Sequence, residues 1–393
     1  MRIAIKYIHF MRSLKLILFY LFLGNSFFSL GQTKINIEKG IDNMEDSLPC
    51  SVFISEINYV PLQSGPNIMI DRNPEIVLID QFIVVKTERD CLLFDRYSGN
   101  FIRKIGNYGK GPNEYRSTQG FINPNLKTIY FIGWNSDLLE FNFEGKFQVS
   151  IKIPDYKDDF KSPSFPTHYT FWKNEVACYF SNMTGNEKKL IVLFNKNGEK
   201  LHTIPNKNVY SDVNFSLTTK ESIFYHFKQI LFFKENYCDT VYEVSDGKFY
   251  PHMVFFTGKY LKPYESKWWS INKKNQMSFI TPFNIIESKS FIMFKLFFHD
   301  NLFLGLYNKK NQQFKTVDVN KLKDDVNCFV PFIPEAASLS NDEECICFTD
   351  AYKVVQWFND ISRKTAKLPD DLQKLKSIKE TDNPVIMIAK FRE

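Results

Sequence analysis

The residues whose types suit ligand binding lie in three polar segments that separate apolar runs of the chain. These segments are KGPNEYR at 110–116, GWNSD at 133–137 and KENYCD at 234–239. Aromatic planes beside a few polar donors suit a sugar or a peptide ligand. The sequence therefore predicts a ligand-binding set around one mouth of the fold: Glu114, Tyr115, Arg116, Trp134 and Tyr237.

A structural role is the alternative for the first of these segments. Its glycines and proline are typical of a tight turn, and Tyr115 would then pack against the neighbouring repeat unit. Because the segment also joins two repeat units, we weigh this interpretation above the binding one. Gly106, Gly109 and Gly111 lack the spacing of a phosphate-binding loop, and no helix-forming segment follows them.

No set of residues in the sequence predicts catalysis. The histidines are isolated from clustered carboxylates, and a structural role is favoured for His168 and His226, which fall on probable inner strands. Cys345 and Cys347 share one face of a predicted strand and could form a metal or redox pair. Two small buried hydrophobes are the favoured interpretation, because no His or third Cys lies near them in the sequence. We therefore predict no catalytic residue, no metal site and no cofactor.

A repeat runs along the chain and predicts the elements that position these segments. Four segments share an apolar strand, a polar turn with glycine and a second strand, and their turn glycines are Gly99, Gly145, Gly198 and Gly247. The glycines are 46, 53 and 49 residues apart, close to the ~40–50-residue repeat of propeller blades. Two further strand-like runs precede each of the first two turns, which gives about four short strands per unit. The pattern predicts an all-β propeller of six blades in a single domain, residues 32–393.

Three segments depart from the repeat. Residues 258–284 break the spacing and are predicted to be an insertion, in which Trp268 and Trp269 form either a lid over one face or a cap on a sheet. Residues 351–380 are predicted to be helical because apolar side chains recur at helical spacing. Residues 384–392 form a strongly apolar strand, and we expect it to pair with sheet begun at the other end of the chain, closing the ring.

The first 31 residues have the form of a signal peptide. A basic region ends at Lys15, a short apolar core follows at 16–23, and small residues precede a predicted cleavage site before Gln32. No cysteine directly follows the apolar core, so a lipid anchor is not expected; the first cysteine is Cys50. We predict export to the periplasm or the cell exterior, with no transmembrane segment in the mature chain.

The charge of the mature chain excludes an electrostatic footprint for nucleic acid. The leader holds four of the 50 basic residues and no acidic one, so 46 basic residues remain against 44 acidic residues. A nearly neutral domain lacks the basic surface that phosphate backbones require. We expect a monomer that does not bind nucleic acid.

With these units laid out, the chain resembles the six-bladed β-propeller family common among exported proteins of Bacteroidetes, related in shape to NHL- and TolB-like propellers. The resemblance rests on INYVPL at 57–62, on FIRKIGNYGKGPNEY at 101–115, and on DAY at 350–352 with DNP at 382–384. Asn113 stands where a glycine is usual in the family. The resemblance implies the fold over nearly the whole mature chain and says little about function, because propellers host enzymes and binding proteins alike.

Three functions are compatible with these features. The leading hypothesis is a non-enzymatic scaffold that presents one loop face to a glycan, peptide or protein partner. A metal-dependent propeller enzyme of lyase or lactonase type is the alternative, and it needs ligands that converge on the central channel from several blades. A structural subunit of a larger surface assembly is the third.

Overall fold

The computed structural model describes residues 32–71, 73–159, 163–211, 213–217, 221–269, 278–360 and 368–393. The predicted leader lies outside the described residues. So do 270–277 of the predicted insertion and 361–367 of the predicted helical segment.

Within these ranges the strands form the six blades of a β-propeller, which confirms the predicted fold. Blade 1 comprises Glu75–Ile79, Phe82–Lys86, Cys91–Asp95 and Phe101–Lys104; blade 2 comprises Ser117–Asn123, Thr128–Ile132, Asp137–Asn142 and Phe147–Lys152. Blade 3 comprises Pro166–Trp172, Glu175–Phe180, Lys189–Phe194 and Lys200–Pro205; blade 4 comprises Ser222–Phe227, Ile230–Glu235, Thr240–Ser245 and Lys248–Phe256. Blade 5 comprises Thr281–Glu287, Phe291–Phe298, Asn301–Asn308 and Gln313–Asp318; blade 6 comprises Ala336–Ala337, Glu344–Thr349, Val385–Phe391 and Ile54–Pro61.

Each blade runs outward from the strand given first, which is its innermost strand. The innermost strands contact one another between blades 2 and 3, 4 and 5, 5 and 6, and 6 and 1. The middle strands are almost wholly apolar; Ile83–Lys86 and Cys91–Phe94, for example, are buried along their length. This burial follows from the packing of each sheet between two neighbouring blades, which leaves neither face to solvent.

The turn glycines close the outer hairpins of blades 1 to 4, as the repeat predicts. Their φ angles lie between 72° and 79°, a region that residues with a Cβ rarely adopt. At Gly99 the chain also approaches another blade, since an added Cβ would collide with the carbonyl oxygen of Pro61. That turn therefore needs glycine for two reasons, its conformation and its contact with the outer strand of blade 6.

The two ends of the chain close the ring together in blade 6. The final strand, Val385–Phe391, pairs antiparallel with Ile54–Pro61 on one side, with Met387 opposite Tyr59, and with Glu344–Thr349 on the other. This arrangement confirms that the last strand pairs with sheet from the start of the domain. It also joins the two ends of the domain within one sheet.

Short elements cover the outside of the propeller near both ends. Thr33–Asn36 runs parallel to the outer strand of blade 4 as a fifth strand, and helix α1 (Ile37–Asp42) follows, capped by the side chain of Asn36. A two-residue pair joins Leu48–Pro49 to Leu322–Lys323. Single 3₁₀ turns occupy short stretches elsewhere: Cys50–Val52, Gly258–Tyr260, Tyr264–Trp268, Val319–Lys321 and Lys374–Ser377.

The helical elements of the C-terminal region lie between the second and third strands of blade 6. Helix α2 (Ala351–Asn359) and helix α3 (Asp370–Gln373) are described there. In α2 the buried face carries Ala351, Val354 and Trp357, while Tyr352 is exposed. The predicted periodicity therefore identified the helix, although not every apolar side chain of α2 lies on its buried face.

The antiparallel order of strands sends the loops to two opposite faces. We name the face that carries the connections between blades and the loops between second and third strands the connection face. The opposite face carries the loops between first and second strands and those between third and fourth strands, and we name it the hairpin face. All five predicted ligand-binding residues lie in connection-face segments.

Candidate functional site

The segment that joins blades 1 and 2 is a compact turn held by its own backbone. The Tyr115 amide donates to the carbonyl of Asn107 over 2.9 Å, and the Gly109 amide donates to the carbonyl of Tyr115 over 3.2 Å. Glu114 closes the turn, because its Oε2 accepts from the Gly111 amide at 2.6 Å. Asn113 has a φ of 62°, a conformation that asparagine tolerates better than most residues do. Glu114 thus shapes the segment that carries it.

Tyr115 is buried between blades 1 and 2. Its side chain has no exposed surface, its ring centroid lies 4.5 Å from that of Phe131, and its hydroxyl donates to the carbonyl of Arg89 over 2.9 Å. Burial raises the pKa of the Tyr115 hydroxyl above its ordinary value. Tyr115 therefore packs against the neighbouring blade, as the structural interpretation of this segment expects.

Trp134 connects the next loop of blade 2 to this turn. Its indole N–H donates to the carbonyl of Gly109 over 2.5 Å, yet 44% of the residue remains exposed. The loop that carries it is held by Asp137, whose backbone carbonyl accepts from the Gly133 amide and whose Oδ2 accepts from the Ser150 hydroxyl. The indole is thus held in place while its ring stays open to solvent.

Two exposed aromatic rings, those of Tyr108 and Trp134, each have a cation nearby. Tyr108 is 43% exposed, the guanidinium of Arg89 lies 5.5 Å from the Tyr108 ring centroid, and the ammonium of Lys110 lies 5.5 Å from the Trp134 ring. We name Arg89, Tyr108, Lys110 and Trp134 the aromatic patch. Sequence reasoning found Trp134 but not Tyr108, because nothing in the local sequence tells which of the two tyrosines of this segment is buried.

The other two predicted residues have different surroundings. The Arg116 amide donates to the carbonyl of Ile132 at 2.8 Å, and its side chain is half-buried at the start of blade 2. Tyr237 belongs to blade 4, where it is buried, and its hydroxyl donates to Glu221 Oε2 over 3.3 Å. The structure therefore brings Glu114, Tyr115 and Trp134 together and places Tyr237 in a separate cluster. The assignment of the five residues to ligand binding stays a prediction.

The cluster around Tyr237 is a buried polar network on the connection face. Lys267, from the chain after blade 4, lies 2.7 Å from Glu221 Oε1, and both side chains are almost fully excluded from solvent. Ser181 also donates to Glu221, and the Tyr179 hydroxyl lies within hydrogen-bond distance of both Glu221 and Glu235. Burial raises the pKa of Glu235 to about 7. These contacts attach residues 257–269 to blades 3 and 4.

Trp268 takes part in the same attachment. Its indole N–H donates to the carbonyl of Met183 at 3.3 Å, and its ring packs beside Tyr210 and Tyr264 with centroids 5.1 and 5.7 Å away. These contacts make Trp268 part of a cap over the loops of blades 3 and 4, and the choice between a lid and a cap on a sheet for the tryptophan pair stays a prediction.

The two inner-strand histidines join blades 3 and 4. His226 stacks on Phe171 at 3.7 Å, and its Nε2 donates to the Phe171 carbonyl over 3.0 Å. His168 Nδ1 lies 3.2 Å from the Ser222 hydroxyl. Burial lowers the pKa of both imidazoles to about 4. Both histidines are hydrogen-bonded across a blade junction, which agrees with the structural role favoured from the sequence.

Cys345 and Cys347 lie on the second strand of blade 6 and are buried in the core. Cys347 contacts the sulfur of Met387 at 3.7 Å, and burial raises the thiol pKa of both residues. All seven cysteines of the chain are unpaired thiols in the structure. Among the described residues, no three His, Cys, Asp or Glu side chains are grouped as a metal site requires.

Comparison with known proteins decides the family. A family model described as a domain of unknown function, DUF4934, matches residues 32–390. The chain belongs to the DUF4934 family. None of the curated proteins matches this DUF4934 chain.

Solved structures support the fold of this DUF4934 chain. A presumed exported protein from Bacteroides fragilis is 14% identical, with a TM-score of 0.65, over 87% of this chain and 96% of that one. The WD40 repeats of RRP9 are 8% identical, with a TM-score of 0.42, over 85% of this chain and 98% of theirs. The extracellular domain of a presumed one-component system from Bacteroides thetaiotaomicron is 10% identical, with a TM-score of 0.38, over 74% of this chain and 32% of that one. At 14% identity, the similarity to the Bacteroides fragilis protein shows the fold alone. The TM-scores of the other two structures are below 0.5, so these similarities add nothing to it.

The helices that the structure describes in the DUF4934 chain are short. In the ranges that the structure describes, none is both long and apolar enough to cross a membrane.

Proposed function

We propose that this DUF4934 chain is an exported, non-enzymatic binding propeller that engages a glycan, peptide or protein partner through its connection face. The observation that supports this proposal is the aromatic patch. In it, an indole is fixed by a hydrogen bond to the turn before blade 2 and still exposes 44% of its residue surface. A fixed and exposed aromatic ring binds a partner with little loss of conformational entropy, which favours affinity.

The chemistry of the patch indicates the kind of group that it would contact. The indole N–H of Trp134 is already used, so the ring offers its π face, which suits the apolar face of a sugar or an aromatic side chain. Lys110 and Arg89 lie beside the two rings and add donors and positive charge. A partner that combines a flat apolar surface with acidic or hydroxyl groups would satisfy both features.

Export is part of the proposal. The leader sequence supports it, and the similar Bacteroides fragilis protein is itself presumed to be exported. Edman sequencing or mass spectrometry of the protein recovered outside the cytoplasm should give Gln32 as its first residue. A protein that stays in the cytoplasm with its leader intact would contradict export.

The relation in shape to NHL- and TolB-like propellers also stays a prediction.

A binding screen with a matched control tests the proposal. The chain from residue 32 is applied to glycan and peptide arrays, beside Trp134→Ala and Tyr97→Ala. Tyr97 is a suitable control because it is 78% exposed but lies in the outer hairpin of blade 1, on the hairpin face. We expect the ligands retained by the wild type to be lost by Trp134→Ala and kept by Tyr97→Ala. Equal binding by all three proteins would contradict a role for the patch. A separate metal analysis tests the alternative function: if the purified protein keeps stoichiometric Ca, Zn or Fe through dialysis, the metal-dependent propeller enzyme is favoured.

A further inference from the structure

A cavity of about 340 Å³ opens between blades 4 and 5 on the hairpin face, away from the aromatic patch. Its apolar walls come from Phe227, Met253, Ile292 and Tyr307. One end is polar and is lined by His252, Glu287 and Lys309. The volume falls within the range of small-molecule sites, which are mostly apolar and carry a few placed polar groups.

The polar end is organised around the carboxylate of Glu287. This residue is 3% exposed, and its Oε1 accepts from the Lys309 ammonium over 2.7 Å. Its Oε2 accepts from the Tyr225 hydroxyl over 3.0 Å and from His252 Nε2 over 2.9 Å. Burial acts to raise the pKa of Glu287, but the hydrogen bonds and charges of His252 and Lys309 outweigh it, so the pKa is lowered. The carboxylate is therefore ionised and both of its oxygens are occupied.

The repeat itself does not require a carboxylate at this position. Glu287 is the last residue of the innermost strand of blade 5, and the corresponding strands of the other blades end in uncharged residues: Ile79, Asn123, Trp172, Phe227 and Ala337. Burying an ion pair contributes little to stability compared with apolar packing of the same volume. Buried carboxylates also pair with cations at other blade junctions, as Glu344 does with Arg96 between blades 6 and 1, so the case for a ligand rests on the cavity beside this network.

Lys309 is a charged donor in the lining of the cavity, which also includes Thr33 and Gln312. The Lys309 ammonium has three N–H groups, of which one goes to Glu287 and one to the carbonyl of Ser288 at 2.7 Å. Its Nζ also lies 4.4 Å from the ring centroid of Phe227, at the border between the polar end and the apolar wall. An anion there would gain a charge-assisted hydrogen bond, which is stronger than the contact with the ring. A cation would instead compete with Lys309 for an occupied carboxylate.

We propose that the cavity between blades 4 and 5 binds a small organic carboxylate, with its head on Lys309 and its apolar body along Phe227, Met253 and Ile292. This site lies on the face opposite the aromatic patch and does not depend on the function proposed for that patch.

Calorimetry with defined probes tests this site. The probes are benzoate and hexanoate, with benzamide, hexanamide and benzylamine as neutral and cationic counterparts of similar shape. The proteins are the wild type, Lys309→Met and Lys310→Met. Lys310 is the matched control because it is exposed and adjacent in the same hairpin, so its removal changes the net charge by the same amount. We expect the wild type and Lys310→Met to bind at least one carboxylate, and Lys309→Met to bind it at least tenfold more weakly.

Two results would overturn the proposal. One is that Lys309→Met, folded by circular dichroism, binds the carboxylate as the wild type does. The other is that the amides bind as tightly as the carboxylates. If Lys309→Met does not fold, a wild-type crystal soaked with 4-bromobenzoate decides the matter: an anomalous bromine peak between Phe227 and Met253 supports the site, and a peak elsewhere or none at saturation refutes it. Trp134→Ala should leave this binding unchanged, so the two proposals can fail separately.

Discussion

The ammonium of Lys267 and the carboxylate of Glu221 lie 2.7 Å apart with side-chain exposures of 0% and 1%. Lys267 follows the outer strand of blade 4, and Glu221 immediately precedes its innermost strand, so the pair joins the two ends of one blade. Lys267 also donates to the Ser181 hydroxyl of blade 3 at 2.8 Å. The ion pair is thus part of the contact between two blades and the cap above them.

Removing one partner of this pair should destabilise the protein strongly. Lys267→Met leaves the Glu221 carboxylate buried without its cation, and we expect a loss of about 3–5 kcal/mol in the free energy of unfolding. The double variant Lys267→Met, Glu221→Leu should lose less, because no charge then remains buried. Urea denaturation measures both. The exposed pair Lys173–Asp246 is the control, and its Lys173→Met variant should change stability by less than about 1 kcal/mol. A loss from Lys267→Met no larger than that of the control would contradict the buried pairing.

Tyr115 and Trp134 should separate structural from binding roles. Tyr115→Ala removes a fully buried ring and should cost about 3–5 kcal/mol of unfolding free energy, whereas Tyr115→Phe loses one hydrogen bond and should cost about 1 kcal/mol. Trp134→Ala removes an exposed ring and should cost less than about 1 kcal/mol. Guanidinium denaturation of the three variants checks this order. If Trp134→Ala were as destabilising as Tyr115→Ala, the indole would be a structural element and the aromatic patch would lose its main support.

Acid should destabilise the protein through the two inner-strand histidines. Their folded-state pKa is about 4, and an unfolded histidine titrates near 6.5. Between these values the unfolded chain binds more protons, so the free energy of unfolding falls as the pH falls from about 6.5 to 4. Each histidine contributes up to about 3 kcal/mol of this loss.

His226→Gln isolates that effect. The glutamine amide can still donate to the Phe171 carbonyl but does not titrate, so the variant should lose less stability than the wild type between pH 7 and pH 4.5. His299→Gln, at an exposed position, should behave as the wild type does. Denaturant titrations at the two pH values measure the difference. An equal loss in all three proteins would show that the acid sensitivity has another origin.

The cysteines should divide sharply in their reactivity. Cys328 is exposed and Cys238 is half-buried, whereas Cys50, Cys91 and the remaining three are buried. Burial raises the pKa of Cys50 and of Cys91 to about 12, which suppresses the reactive thiolate. Native iodoacetamide treatment followed by peptide mass spectrometry should label Cys328 first, then Cys238, and the others only in denaturant. Rapid native labelling of Cys345 or Cys347 would contradict their burial and revive their interpretation as a redox pair.

The fold was predictable because its determinants are local and repeated. The glycines of four hairpins, the apolar inner strands and the apolar final strand are each visible within a few residues, and together they indicate six blades and a closed ring. The face of helix α2 was less predictable, because Tyr352 and Val354 have similar apolar character and only the packing of the helix on the core, which Val354 and Trp357 join, decides which is buried.

The candidate site was predictable only in part, for a physical reason. Which tyrosine of residues 108–115 is buried depends on Phe131 of the next blade, and Trp134 becomes fixed only because Gly109 lies beside it. The pairing of Glu221 with Lys267 and the contacts of Glu287 with His252 and Lys309 join residues from different strands or blades. Such long-range contacts leave no periodic trace in a single sequence.

The shared last blade makes the final stage of folding wait for the strand Val385–Phe391. Ile54–Pro61 is synthesised early, but this partner strand is made only after the other five blades. Until that segment is available, the early strand has no neighbour and its apolar side chains, Ile57 and Tyr59 among them, remain uncovered. A chain that stops before Val385 would therefore carry an open sheet edge that proteases and chaperones can recognise, so the ring closes only once synthesis has passed that strand.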